Sequence, residues 1–441
     1  MAKAKSKKIM LEDAIIPVDE QPYHIPENWC WTRIKHVSDV VTGSTPSKKH
    51  AEYYGGDFPF FKPADLEAGD NVVEATEYLS EEGKNVSRII PKLSTAVCCI
   101  GSIGKTGLIR VEGTTNQQIN SMIPKINPLY LYYYSKSNVF IEELWNKSTA
   151  TTISLVNKKN METNTIPLAP LAEQKRIVEQ IESLFSKLDE AKEKAQEVID
   201  GYEARNAAVY NDAFSGRLTA QWRKDNYKEN KWETKRFDEV ADIKSNLVEP
   251  SNYLEFPHIA PDNIEKRTGI LLDYHTIAED GVKSRKHRFY AGQILYSKIR
   301  PYLSKVVMVD FDGLCSADMY PIEAKENTKY LLYYMLSDMF LEQASSAGSR
   351  SVLPKINQKE LSAIKVRITS DEEQKEVVRI LDYLLPMMQQ VRDKAVQVVD
   401  NIDAIKKSIL AKAFRGKLGT NIPEDESAME LLKIILNKGE C

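Results

Sequence analysis

The chain repeats itself at a fixed distance, and that repeat limits its fold more than any other feature. Glu173-Gln174-Lys175 and Glu373-Gln374-Lys375 lie 200 residues apart, and each opens a helical pattern. Each pattern closes on a matching tail, Ala213-Phe214-Ser215-Gly216-Arg217-Leu218 and Ala413-Phe414-Arg415-Gly416-Lys417-Leu418, at the same offset. Between these ends the apolar positions run Ile177, Ile181, Leu184, Leu188, Ala191, Ala195, Val198 and Tyr202 in the first copy. In the second they run Val377, Leu381, Leu384, Met388, Val391, Ala395, Val398, Ile402, Ile405 and Ile409. Alternating steps of four and three make a heptad seam, which needs a partner helix to cover it. Because the seam occurs twice, the economical arrangement is that each helix covers the other. A helix of about 44 residues is roughly 66 Å long. Two packed antiparallel would hold two globular domains apart and invert one relative to the other, approximating a two-fold axis within one polypeptide. Pro386 is a local misfit, since proline lacks the amide donor and predicts a kink or a helix boundary one turn earlier. The first copy has Ser186 there.

The segments between the helices match less tightly. Trp29, Arg33, Ile34, Val37 and Val40 correspond to Trp232, Arg236, Phe237, Val240 and Ile243. Phe58-Pro59 corresponds to Phe256-Pro257, Tyr130-Leu131 to Tyr330-Leu331, and Asn157 to Asn357. The stretches between have diverged, with Gly101-Ser-Ile-Gly-Lys-Thr-Gly107 facing Ser297-Lys-Ile-Arg-Pro-Tyr-Leu303. Short β-branched runs such as Ala96–Ile100, Ile294–Tyr296 and Val306–Val309 predict strands, and the spacing around 130–145 and 328–343 is helical. The expected architecture is mixed α/β (α+β): a tail over 1–27, globular domains over 28–168 and 231–370, spacer helices over 169–218 and 371–418, a linker over 219–230 and a tail helix over 419–441. In the last of these, Ser427-x-x-Glu430 ahead of an apolar run reads as a helix cap.

Composition narrows the function classes. With 60 Lys+Arg against 63 Asp+Glu the net charge is −3, so any nucleic-acid surface must be a local patch. Five cysteines, none at C-x-x-C spacing, argue against a disulfide framework and a zinc site, and point to a reducing compartment. The basic start of Met1–Lys8 is followed by Glu12 and Asp13 rather than an apolar core, and no apolar run approaches membrane-spanning length. The expected location is the cytoplasm.

Motifs of catalysis are missing. Gly101–Thr106 resembles a phosphate-binding loop, but Cys99 stands where its first glycine belongs, and a tight turn between strands is the simpler reading. There is no His-Glu-x-x-His, no G-x-S-x-G, and no Asn-Pro-Pro-aromatic tetrapeptide. Charge patterning says more. Lys283, Arg285, Lys286, Arg288, Lys298, Arg300 and Lys305 occupy a window with no acidic residue, interleaved with Tyr290, Tyr296 and Tyr302. The first copy has Lys84, Arg88, Lys92, Lys105 and Arg110 in another such window. Basic side chains neutralise phosphates, and arginine and amides also reach base edges. Two such runs in equivalent parts of a duplicated chain favour nucleic acid over a solvated basic edge. The neighbouring Asn116-Gln117-Gln118 offers amides suited to adenine or, equally, turn caps.

The helix start Pro170-Leu-Ala-Glu-Gln174 closing a domain that begins Ile25-Pro-Glu-Asn-Trp29, all duplicated with coiled-coil spacers, resembles the DNA-specificity subunit of type I restriction–modification enzymes. The Gly-Ser-Ile-Gly-Lys-Thr-Gly run, with Ser102, and the Asn-Gln-Gln after it resemble elements of that family's target-recognition domains. The resemblance implies two domains that each read half of a bipartite, asymmetric DNA target. The helices would set the gap and dock the methyltransferase subunits, which bring S-adenosylmethionine, and through them restriction subunits using ATP and Mg. The chain itself would catalyse nothing and bind no cofactor, and when free it could self-associate through spare helix surface. Two departures stand out: Pro386, and Thr369-Ser-Asp371 in place of Ala169-Pro170-Leu171. The rival readings are a stand-alone DNA-modifying enzyme and a coiled-coil scaffold without DNA binding.

Overall fold

A computed structural model describes residues 10–148, 154–347 and 354–438, so the basic start Met1–Lys8 and Cys441 lie outside the described residues. Contacts divide the chain into two compact units: unit 1 is Met1–Glu193 with Val398–Cys441, and unit 2 is Lys194–Gln397. Each unit therefore joins one globular segment to pieces of both spacer helices.

In unit 1 a four-stranded antiparallel sheet runs in the order Ser38–Thr42, Ile119–Pro124, Thr95–Cys98, Thr106–Leu108. Beside it Glu77–Leu79, Tyr54–Phe61 and Thr114–Thr115 form a smaller sheet. Unit 2 has the matching four-stranded order Ala241–Ile243, Met319–Ala324, Ile294–Ser297, Val306–Met308. Its second sheet has grown to five strands, with Leu247–Val248 and Lys286–Phe289 on one side of Gly313–Cys315 and Pro257–Ile259 and His275–Thr276 on the other. The helical stretches resolve into pairs, Pro128–Ser135 with Asn138–Asn146 and Thr328–Leu336 with Asp338–Ala347. Asn127 and Asn327 cap the first helix of each pair, and Asn157 and Asn357 cap the short helices that follow. An asparagine oxygen satisfying the free amides of a first turn explains why these residues recur in both copies.

A two-stranded neck leads each domain into its helix: Cys30–Arg33 pairs with Thr165–Leu168, and Glu233–Arg236 with Lys365–Ile368. The phenylalanines of the duplicated tails then close each core. Phe414 packs against Tyr130 and Tyr134 in unit 1, and Phe214 against Tyr330 and Tyr334 in unit 2. Within each unit the spacer segments run antiparallel. In unit 1 Lys406 pairs with Asp189 at 2.5 Å and Arg176 reaches Thr420 at 3.0 Å, while in unit 2 the Tyr202 hydroxyl donates to Gln389 at 2.6 Å.

Three expectations need correcting here. Pro386 does not end its helix, which runs unbroken from Asp371 to Ala413. It is the first spacer that breaks, at Gly201 between Leu171–Asp200 and Tyr202–Phe214, where glycine's backbone freedom makes helix costly. The seam also shifts. Ile177, Ile181, Val377, Leu381 and Ile402 are buried, and Leu184, Leu188, Val198 and Leu384 half-buried, but Val391 and Val398 are 50% and 43% exposed. One residue after Val391 the Arg392 guanidinium stacks over Tyr202, and one residue after Ile405, itself 43% exposed, the Lys406 ammonium lies over Phe185. Long basic side chains can cover apolar surface while keeping their charge in water. The terminal segments, expected as a tail and a tail helix, pack into unit 1. Ala14 and Ile16 are buried, Tyr23 donates to the Phe414 carbonyl at 3.0 Å, and the helix Ala428–Lys438 buries Leu432 and Ile435 in the unit 1 core. Finally, the expected linker over 219–230 carries the helix Ala220–Asp225.

Candidate nucleic-acid interface

The duplicated glutamates form the joint between domain and spacer. In unit 1 the buried Glu173 accepts from the Trp29 indole at 2.7 Å, from Asn421 at 2.8 Å and from Thr420 at 3.3 Å. In unit 2 Glu373 accepts from Trp232 at 2.9 Å, Thr219 at 2.5 Å, Thr369 at 2.8 Å and the Arg223 guanidinium. Burial pushes the Glu373 carboxyl up, but its donors more than offset this and hold it below its usual range. The glutamines act alike: Gln174 and Gln374 each accept from the amide of Asn127 or Asn327, at 3.0 and 3.2 Å, and donate to the carbonyl of Ala169 or Thr369. The sequence showed these residues as repeat markers; their partners lie too far along the chain for their role to be read from it.

In unit 1 two of the candidate contacts, Arg88 and Gln117, meet the chain at the end of the strand Ser38–Thr42 and just after it. Arg88 is exposed and donates to the Thr42 carbonyl at 2.7 Å. Gln117 is exposed and paired with Thr45. Asn116 is buried, its amide given to Gln118 at 3.0 Å while its oxygen accepts the Gln118 N–H at 3.1 Å, so these two follow the turn-capping alternative. Lys84 stacks over Phe58, and Lys105 pairs with Glu67 at 2.7 Å. Ser102 is exposed at the tip of the glycine turn. Sequence reasoning missed the loop beside Gln117, where Lys48, Lys49 and His50 are exposed; their adjacency was the available signal.

In unit 2 three of the seven basic residues of the window already face an acidic partner. Arg285 pairs with Glu249, Lys298 donates to the Ala317 carbonyl at 2.6 Å with Asp318 at 3.8 Å, and Lys305 donates to the Pro261 carbonyl at 2.6 Å with Asp262 at 3.6 Å. Lys286 departs from the expectation of a phosphate contact. It is buried, its ammonium rests on the Ser284 hydroxyl at 2.7 Å, and burial lowers its pKa. Arg288 lies among the rings of Tyr253, Phe256 and Tyr290, at 5.3, 6.0 and 4.9 Å. Lys283 and Arg300 are exposed, neither side chain having a partner among the described residues, and Tyr302 is half-exposed. Where the small sheet of unit 1 has Phe60, unit 2 has His258, whose Nδ1 lies 2.7 Å from Asp280, with His275 at 3.1 Å from the same carboxylate. Among the described residues no group of His, Cys, Asp and Glu could hold a metal ion, and no helix is long and apolar enough to cross a membrane.

Comparison with known proteins gives a consistent result. A family model described as the type I restriction modification DNA specificity domain matches twice, over residues 26–199 and 229–394. The chain is 39% identical over 422 residues to the type I restriction enzyme EcoDI specificity subunit of Escherichia coli, covering 89% of each protein. It is 24% identical to the MjaIX specificity subunit of Methanocaldococcus jannaschii, covering 89% of this chain and 94% of that one. The crystal structure of the HsdS subunit from Thermoanaerobacter tengcongensis shares its fold, with a TM-score of 0.67 at 17% identity over 91% of this chain and all of that one.

Proposed function

The chain belongs to the type I restriction modification DNA specificity family, and we propose that it reads a bipartite, asymmetric DNA sequence in the cytoplasm, unit 1 taking one half and unit 2 the other. The observation that carries this reading is the contrast between a frame repeated residue for residue and exposed faces that differ. Trp29, Asn127, Glu173 and Gln174 recur as Trp232, Asn327, Glu373 and Gln374 with the same hydrogen bonds. The exposed Arg88, Gln117, Lys48 and Lys49 of unit 1 have no likeness to the exposed Lys283, Arg300 and Tyr302 of unit 2. Two copies of one scaffold with unlike faces suit two unlike half-sites, and phosphate contacts from the free cations would position the bases that side chains read.

In this reading the chain catalyses nothing. The spacer helices dock methyltransferase subunits carrying S-adenosylmethionine, and through them restriction subunits that use ATP and Mg. Supporting this, the second spacer exposes Tyr383, Met387 and Val391 in unit 2, and Val398 and Ile405 in unit 1, each a step along one apolar stripe. The decisive experiment maps DNA methylation in cells that express the modification subunit with and without this chain. A bipartite motif that appears only with the chain is expected, and an unchanged methylation pattern would sink the reading. Turnover by the isolated chain given DNA, Mg²⁺ and S-adenosylmethionine would favour an enzyme instead.

A further inference from the structure

The hairpin turn that joins the third and fourth strands of the main sheet differs between the units in a way that singles out one side chain. In unit 1 it lies between Thr95–Cys98 and Thr106–Leu108, in unit 2 between Ile294–Ser297 and Val306–Met308. The backbone anchors agree: Val156 N–H donates to the Cys99 carbonyl and Ile356 N–H to the Lys298 carbonyl, both at 2.9 Å. Gly101 N–H reaches Ser154 at 3.4 Å, and Arg300 N–H reaches Pro354 at 2.8 Å. Gly101 and Arg300 are therefore structural equivalents, three residues away from the pairing of Gly101 with Ser297 that the sequence suggests.

Both turns need two left-handed residues. Unit 1 supplies glycines, Gly101 at φ +79° and Gly104 at φ +89°. Unit 2 supplies Arg300 at φ +49° and Ser304 at φ +44°. A non-glycine residue there is strained, and such strain persists where the surroundings over-determine it. The surroundings do so here. Ser304 is buried, its hydroxyl donates to the Met335 carbonyl at 3.2 Å and its carbonyl accepts the Arg267 N–H at 3.2 Å. Lys298 and Lys305 brace the turn on either side through the carbonyls of Ala317 and Pro261. Ser304 is thus held for the fold. Arg300 is not, since its guanidinium is exposed and has no partner among the described residues. A glycine would serve the backbone better, as unit 1 demonstrates, so the side chain is what the strain presents. Tyr302, half-exposed, stands two residues on in the same rigid turn.

We infer that Arg300 is the residue with which unit 2 reads a guanine in its half-site, through paired hydrogen bonds to O6 and N7, and that Tyr302 packs beside it on the DNA. The inference rests on the reading of the chain as a DNA-specificity subunit. A guanidinium fork on a fixed backbone matches that base edge, whereas a flexible lysine contributes a point charge. Unit 1, with Gly101 in this place, reads its half by other side chains.

The test uses the full chain with its modification subunits and maps genomic methylation by long-read sequencing in cells carrying wild type, Arg300→Gly or Arg300→Lys. Arg300→Gly suits the left-handed backbone, so thermal unfolding of the purified subunit should be unchanged or improved. The methylated motif should nonetheless relax at one guanine-containing base pair of one half, with discrimination there falling roughly 5- to 100-fold and the other half unaltered. Arg300→Lys should relax the same position. A motif identical to wild type in Arg300→Gly would overturn the inference. So would uniformly weaker methylation with no relaxed position, which marks a phosphate contact, or relaxation in both halves. A wild-type chain that yields no bipartite motif would overturn the parent reading itself, a result distinguishable from all of these.

Discussion

Glu173 and Glu373 occupy the same place in two copies of one frame, yet they are satisfied by different means. Around Glu173 the donors are neutral: an indole, an amide and a hydroxyl. Around Glu373 the donors are an indole, two hydroxyls and a guanidinium, and Arg223 also holds the Gly216 carbonyl at 2.7 Å and the Thr219 hydroxyl at 2.9 Å. The geometry that matters to the fold, a tryptophan and a helix start locked to one carboxylate, is kept. The charge arrangement is free to differ because the carboxylate asks only for donors. Duplication thus kept a tryptophan and a threonine donor at each joint and let the remaining donors differ.

The strongest way to break this comparison is to remove the carboxylates one at a time. The Arg223 side chain is 14% exposed and that of Glu373 1%. Glu373→Ala would leave a nearly buried guanidinium unpaired, and unit 2 should lose about 3–5 kcal/mol. Hydrogen exchange followed by mass spectrometry should show the neck strands Glu233–Arg236 and Lys365–Ile368 opening, with Cys30–Arg33 and Thr165–Leu168 still protected. Equal loss of protection in both necks would refute the independence of the two joints. Glu173→Ala strands only neutral donors, chiefly the Trp29 indole, and should cost unit 1 about 1–3 kcal/mol. A cost as large as that of Glu373→Ala would mean the guanidinium contributes nothing of its own.

The spacers offer a smaller contrast, since one is broken at Gly201 and the other passes through Pro386. Gly201 has a negative φ of −82°, and the atoms nearest to a Cβ there belong to the guanidinium of Arg205, the far end of a flexible side chain. Gly201→Ala should therefore stabilise the chain by about 0.5–1 kcal/mol by favouring a continuous helix. Destabilisation in a denaturant titration would show instead that the break is required, with Arg205 donating to the Val198 carbonyl as its cap.

These contrasts also mark what could be read in the sequence. Helix starts, caps and tails were legible because they are local and occur twice: Asn157 and Asn357 sit directly before the helices they cap. The seam was legible in part: Ala395 and Ile402 are buried as counted, but counting apolar letters also assigned Val391, Val398 and Ile405, which are exposed, while the cations of Arg392 and Lys406, one residue after Val391 and Ile405, lie over Tyr202 and Phe185. The basic windows misled for a related reason. A stretch without acids reads as uncompensated charge, but Glu249, Asp262 and Asp318 lie outside the window in sequence and beside it in space. Lys283 and Arg300 are the members of the window that are exposed and have no partner among the described residues. The left-handed backbone at Arg300 leaves no mark in composition or periodicity, so its strain became visible only in the fold.

The smallest effect expected, and the one that sharpens the comparison most, is acid dependence. Glu373 is held below its reference value of 4.5 by Thr219, Thr369, Trp232 and Arg223 against the upward push of burial. A carboxyl whose folded pKa lies below its unfolded one contributes stability that is fully present above about pH 4.5 and lost as the pH falls through the folded value. The Glu373→Gln variant keeps the shape of the joint but has no proton to take up. Its deficit relative to wild type should therefore be largest near neutral pH and shrink steadily below pH 4.5, as read from denaturant midpoints at matched ionic strength. A deficit that stays constant down to the most acidic point would mean that the proton on Glu373 is bound equally well in folded and unfolded chains. In that case the guanidinium would be an addition to the unit 2 joint without electrostatic consequence, and the two joints would be energetically alike despite their different partners.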